Sequence, residues 1–243
     1  MKNASKKPAD LSAQIATQIR DAIVGGELIV DARLPSESEL ADQFNVSRPT
    51  VREALKRLAA QSLIRTQRGA SGGAFVNRIS FEDAYQQQIT TSSLLLSMNE
   101  VDFDTACEAR FALERACVAL ACERRTADHL ATMRAEAHRQ QQPGLTDEAF
   151  CASDVTFHRA LVDAAGNPVL SHQLAGAVEG MQPLMNMITF TSRDRARIVA
   201  LHNALADALD ARDGKTCDDL LAELQTYSCA LAAEYLSQRA KAT

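Results

Sequence analysis

Apolar residues recur at every fourth position in Leu11, Ile15, Ile19 and Ile23, which sets one stripe of an α-helix against a core. Gly25-Gly26 ends that helix as a C-terminal glycine cap does. After Pro35, Ser36 stands in the N-cap position of a second helix. Glu39 follows three residues on, as a capping box requires, and Leu40 and Phe44 supply the apolar face. Asn45-Val46-Ser47 reads as a tight turn, because Asn tolerates the left-handed conformation. Ser47 then caps a third helix, and Pro49 falls in its first turn, where a missing N–H costs little. Val51, Leu55 and Leu58 face inward from this helix; Arg48, Thr50, Arg52 and Lys56 can face out. Two short helices across a three-residue turn make a helix-turn-helix. Residues 64–68 and 74–78 read as two strands around the Gly-rich loop 69–73. The pattern predicts a winged helix-turn-helix over 11–78, behind a flexible tail at 1–10.

Beyond residue 80 only helical periodicity remains. Helices are expected at about 82–98, 100–124, 126–141, 146–165, 168–191, 194–212 and 216–239. They are separated by Pro143-Gly144, Gly166-Asn167-Pro168, a break near Arg193, and Gly214. Several are Ala-rich, which favours helix and close packing. The fold class expected is mainly α: the winged unit, then an all-α antiparallel bundle of six to seven helices over 79–243.

Composition adds a soluble class. The chain has 243 residues, 46% hydrophobic and 23% charged, enough for one large or two modest domains. No run of eighteen apolar residues and no signal segment is present, so a cytoplasmic location is expected. The six cysteines form no C-x-x-C pair, and read as free thiols acting as small core hydrophobes.

Net charge is −5, from 26 basic and 31 acidic residues, which taken whole speaks against nucleic acid. The charge is unevenly spread. Residues 1–80 hold 12 basic and 8 acidic groups, or +4; the remainder hold 14 and 23, or −9. Between residues 46 and 78 lie Arg48, Arg52, Lys56, Arg57, Arg65, Arg68 and Arg78, against Glu53 alone. A basic island on an acidic chain is an electrostatic footprint for phosphate.

The run Leu34-Pro-Ser-Glu-Ser-Glu-Leu-Ala41, then Val46-Ser-Arg-Pro-Thr-Val-Arg-Glu-Ala-Leu55 and the Gly-rich wing, resembles the DNA-binding domain of GntR-type transcription regulators. The resemblance implies that Arg48 and Arg52 read bases in the major groove. It implies that Ser36, Ser47 and Thr50 touch phosphate, and that Arg68 and Gly69 serve the wing tip in the minor groove. The chemistry agrees: an Arg fork bonds guanine O6 and N7 together, and hydroxyls at helix N-termini suit phosphate oxygens. Ser38 stands where the family often has Arg, which implies a different operator.

In the second region, Asp154 and His158 lie at i and i+4, on one helix face, roughly 5–6 Å apart at Cβ. Taken alone, that spacing reads first as a helix surface pair; it also suits one metal ion or one polar ligand. The run from Asp154 to Pro168, together with Arg110-Phe-Ala-Leu-Glu114 and His202-Asn-Ala-Leu-Ala-Asp-Ala-Leu209, resembles the ligand domain of the FadR-like branch of that family. Many members of the branch hold a divalent metal on one Asp and three His. The matching positions are Asp154, His158 and His202; the fourth is Leu224, on the apolar stripe Leu220, Leu221, Leu224, Tyr227 and Leu231. Three ligands can hold Zn, Ni or Mn with water or an effector oxygen completing the shell. A metal-free pocket is the alternative. The resemblance also implies that Arg110 points into the cavity and pairs with an effector carboxylate. Its other reading is an ion pair with Glu114 or Glu108. His129 and His138 read as surface groups, and Met181, Met185 and Met187 as core.

These features together imply a ligand-responsive transcription regulator. A homodimer would bind a palindromic double-stranded operator, most simply as repressor of a catabolic operon with a small carboxylate effector. The rival reading is a metal-dependent helical-bundle enzyme using Asp154, His158 and His202, but the sequence offers no general base, nucleophile or oxyanion donor set beside them.

Overall fold

A computed structural model of the chain describes residues 10–69, 72–189 and 193–242. The proposed tail therefore lies outside the described residues, except Asp10. The chain divides into two compact units between Asp83 and Ala84.

In the first unit, α1 (Leu11–Val24) starts at Asp10, whose side chain accepts from the Ala13 N–H. Ile15 and Ile19 are buried, whereas Leu11 stands half exposed at the helix start, outside the core stripe expected for it. Ser36 and Glu39 cap α2 (Glu37–Phe44) reciprocally, and Asn45 closes it with φ 50° and ψ 51°. Ser47 caps α3 (Arg48–Ala60), with Pro in its first turn. Val51, Ala54 and Leu58 are fully buried against Ile15, Ile19, Leu34 and Leu40. Strands β1 (Ile64–Gln67) and β2 (Gly73–Val76) pair antiparallel from Ile64↔Val76 to Gln67↔Gly73. The second strand is shorter than the sequence pattern suggests, ending at Val76. Arg33 adds an isolated bridge to Phe75.

The second unit is helical. It comprises α4 (Phe81–Ser97) from Ala84 onward, α5 (Phe103–Arg124), α6 (Ala127–Gln140), α7 (Asp147–Ala164), α8 (Pro168–Ala175), α9 (Gln182–Thr189), α10 (Arg195–Asp210) and α11 (Gly214–Ala242). Helix α7 packs on α5 and α6, and α11 on α5 and α10. Phe111, Phe157, Leu161, Leu205 and Leu221 form the buried centre. The single helix expected at 168–191 is interrupted by a π-helical turn, Gly176–Met181. Contact with α4 accompanies the change: a Cβ on Gly180 would stand 2.7 Å from the Ile89 carbonyl oxygen. Residues 190–192, at the expected break near Arg193, lie outside the described residues. Met185 is buried as expected, but Met187 stands 62% exposed. Among the described residues no helix is long and apolar enough to cross a membrane.

Candidate functional site

The candidate recognition surface begins at the start of α3. The Ser47 hydroxyl oxygen accepts from the Thr50 N–H at 3.4 Å and pairs with the Thr50 hydroxyl at 2.8 Å. The Ser36 oxygen accepts from the Glu39 N–H at 3.3 Å. Both hydroxyls therefore hold helix ends in place, and each sits where the helix presents unpaired N–H groups. Arg52 donates through Nε and one terminal nitrogen to the two oxygens of Glu37, at 3.1 and 2.7 Å. Its side chain is still 58% exposed. Arg48 donates to the hydroxyl of Ser38. Helix α2 thus holds Arg48 and Arg52 of α3, a role that the sequence pattern did not reveal for Glu37 or Ser38.

Arg68 and Gly69 are exposed at the wing, Gly69 with φ 109°; residues 70 and 71 of the loop lie outside the described residues. Arg33 braces the wing, donating to the Gly72 carbonyl at 2.6 Å. At Gly73 a Cβ would come within 2.9 Å of Arg33 Nε, so the glycine gives the guanidinium room. The basic island is less bare than its sequence suggests. Asp10 pairs with Arg57 and Asp31 with Arg65, both at 2.8 Å, from outside the island.

In the helical unit, Asp154 and His158 on α7 meet His202 of α10. One ligand atom from each lies within 4.8 Å of the others, and all three residues are buried. Both imidazoles are oriented by a second partner. Nδ1 of His158 lies 2.7 Å from a Glu114 oxygen, and Nδ1 of His202 lies 2.8 Å from the Gln140 amide oxygen. Each Nδ1 faces an acceptor, which turns each Nε2 toward Asp154. The Nε2 atoms lie 4.0 and 3.4 Å from Asp154 Oδ1. The other carboxylate oxygen accepts from Gln182 at 2.5 Å and Asn186 at 2.9 Å, which leaves Oδ1 for the cluster. His202 stacks on Phe157, with ring centroids 4.0 Å apart.

The electrostatics follow from burial. Burial pushes the His202 imidazole down to about 3, so it is neutral at neutral pH. Burial would raise Asp154, but the neighbouring imidazoles, Arg110 and the Asn186 amide outweigh it and hold the carboxyl below its usual range. Glu114 is likewise held low against its burial, by His158 and Arg110. Arg110 donates through Nε to Glu114 at 2.7 Å and also lines the cavity. The expected ion pair with Glu114 is present, and the guanidinium also stands in the cavity wall. The cavity, about 30 Å³, is walled by Arg110, Asp154, His158, Asn186, Leu224 and Tyr227, among others.

Residues 11–76 match the bacterial regulatory proteins of the gntR family, and residues 105–226 match the FCD domain. The chain belongs to the GntR family of transcription regulators. Among its relatives is the galactonate operon transcriptional repressor of Escherichia coli (strain K12), 29% identical over 212 residues, 84% of this chain and 89% of that protein. Another is the HTH-type transcriptional repressor NanR of Klebsiella aerogenes, 32% identical over 162 residues, 65% of this chain and 60% of that one. The solved structure of Streptococcus agalactiae GntR shares the fold, with TM-score 0.52 and 20% identity, covering 92% of this chain and 99% of that one.

The family is one of regulators, and nothing favours the enzyme reading of the regulator's buried cluster. That cluster nonetheless suits a cation. His202 Nε2 is buried without a hydrogen-bond partner, beside an ionised carboxylate oxygen 3.4 Å away. Two electron-rich atoms facing each other in an apolar interior are costly unless something positive joins them. Leu224 reaches the same cavity from α11, at the fourth family position, and brings no donor. Glu114 and Gln140 orient the imidazoles, as outer-shell partners do in metal sites. Glu114 was legible only as an i,i+4 partner for Arg110; Gln140 left no local signal, being 62 residues from His202.

Proposed function

We propose that this regulator is a repressor whose hold on a palindromic operator responds to a small carboxylate bound in the helical unit. What carries the reading is one chain that joins an exposed Arg48/Arg52 recognition helix to a buried, cation-lined cavity. The working division is a DNA-binding domain at 11–78 and an effector and dimerisation domain at 79–243, in a cytoplasmic homodimer. Arg48 and Arg52 read bases; Ser36, Ser47 and Thr50 meet phosphate; Arg68 and Gly69 place the wing. Arg110, Asp154, His158 and His202 receive the effector. Asp154, His158 and His202 hold a divalent ion, Zn, Ni or Mn, which would offer Lewis acidity to an incoming carboxylate oxygen. Two of the named relatives are repressors, which supports that sign of regulation.

The cavity's size makes the response physical. About 30 Å³ admits two or three waters, at roughly 10–15 Å³ each, and no organic acid. An acid therefore enters only if a wall moves, and its affinity must differ between the closed and opened arrangements. Such coupling is typically worth ~1–3 kcal/mol. The test uses a genomic fragment selected by the full-length protein, titrated with a panel of small carboxylic acids. One acid class should shift the DNA affinity by about 5–150-fold, and Asp154→Asn should lose that shift. If no acid moves the affinity, or Asp154→Asn responds as the wild type does, the effector reading fails.

A further inference from the structure

Helices α5 and α11 meet at two thiols. Sγ of Cys229 lies 3.1 Å from Sγ of Cys107, across 122 residues of sequence. A disulfide needs ~2.05 Å, so closing the gap takes a shift of about 1 Å. Cys107 is fully buried and Cys229 is half-buried. One sulfur can therefore meet an oxidant, while the other waits behind it. The remaining thiols lack this pairing of access and partner. Cys122 and Cys217 also interact, but both are buried. Cys117 and Cys151 are buried as well. The pair also borders the ligand cavity. Arg110 is one helical turn from Cys107, and Tyr227, Ser228 and Leu231 around Cys229 line the cavity wall.

We propose that Cys107 and Cys229 form an oxidation site, a dithiol that hydroperoxide converts to a disulfide, stapling α5 to α11 beside the ligand cavity. The Cys229 sulfur attacks a peroxide oxygen; the O–O bond breaks, and the first water leaves with the thiol's proton. That leaves a sulfenic acid on Cys229. The Cys107 sulfur then attacks the Cys229 sulfur, the S–O bond breaks, and a second water carries off the Cys107 proton. Two thiols and one hydrogen peroxide give one disulfide and two waters, and a small dithiol reverses the change.

The test treats the full-length reduced protein with hydrogen peroxide, blocks free thiols with an alkylating reagent, and maps the digested peptides by mass spectrometry. The expected product is a Cys107–Cys229 cross-linked peptide that dithiothreitol abolishes, with Cys117, Cys122, Cys151 and Cys217 alkylated on denaturation. The oxidised protein should also melt at a higher temperature than the reduced one, and return on reduction. In Cys229→Ser, Cys107 should stay reduced, since the accessible thiol of the pair is gone. The proposal is overturned if Cys107 and Cys229 both stay alkylatable, if Cys229 proceeds to sulfinic acid without pairing, or if peroxide joins Cys122 to Cys217 instead. The wild-type map decides among these even if the variant fails to fold.

Discussion

Glu114 is entirely buried, yet its carboxyl is held low, between the Arg110 guanidinium and the His158 imidazole. Removing it would strand a buried cation and release the imidazole that faces the cavity. Breaking such a pair from one side costs ~3–5 kcal/mol. Urea unfolding of Glu114→Ala should show a loss of that size, and a loss under about 1 kcal/mol would contradict the buried pairing. Gln140 acts on His202 in the same outer position. Gln140→Leu should lower divalent metal affinity by about 10–100-fold, read by competition with a chelating dye. Untagged wild-type protein should carry metal that Asp154→Ala lacks; equal, near-zero content in both would remove the ion. At this scale the sequence was legible where partners lie within a turn. The Ser36/Glu39 box, the left-handed Asn45 and the i,i+4 pair of Arg110 with Glu114 are all local. Gln140, Gln182 and Asn186 reach the site from other helices, and no short-range spacing announces them.

The π-helical turn Gly176–Met181 is where periodicity misled. A 3.6-residue reading runs straight through 168–191 and does not register a turn whose hydrogen bonds span five residues. It lies against α4, which approaches the backbone closely at Gly176 and Gly180. The Ser93 hydroxyl donates to the Gly180 carbonyl at 2.9 Å. Immediately after the turn, Gln182 and then Asn186 donate to Asp154. Gly180→Ala must push the Ile89 carbonyl aside, and overpacking of this kind costs ~1–3 kcal/mol. Thermal unfolding should register that loss. The same variant should also weaken metal retention if α9 positions Asp154; unchanged stability would mean the helices have room to separate. In the other unit, the helix-turn-helix was almost wholly legible, because its caps, turn and proline are local chemistry. The exception is the grip of α2 on Arg48 and Arg52, which joins residues ten and fifteen apart.

Over the whole molecule, a net charge of −5 averages two unlike parts, +4 in residues 1–80 and −9 beyond. The folded first unit softens its island further, since Asp10 and Asp31 neutralise Arg57 and Arg65. Arg48, Arg52 and Arg68 keep exposed side chains, Arg52 within its ion pair to Glu37. Phosphate contacts release counterions, so log affinity should fall linearly with log salt, by ~0.9 per phosphate neutralised. A slope near zero would mean that this basic face does not meet the duplex. The most direct measurement is the affinity of full-length protein for its best genomic fragment against random duplex at fixed salt, with wild type and Arg52→Ala compared over every single-base change. The regulator should prefer its site by at least ~10³-fold. Arg52→Ala should lose roughly 1–3 kcal/mol and relax one base position in each half-site. If no fragment exceeds random DNA, or if Arg52→Ala keeps the full preference, recognition through this helix is contradicted.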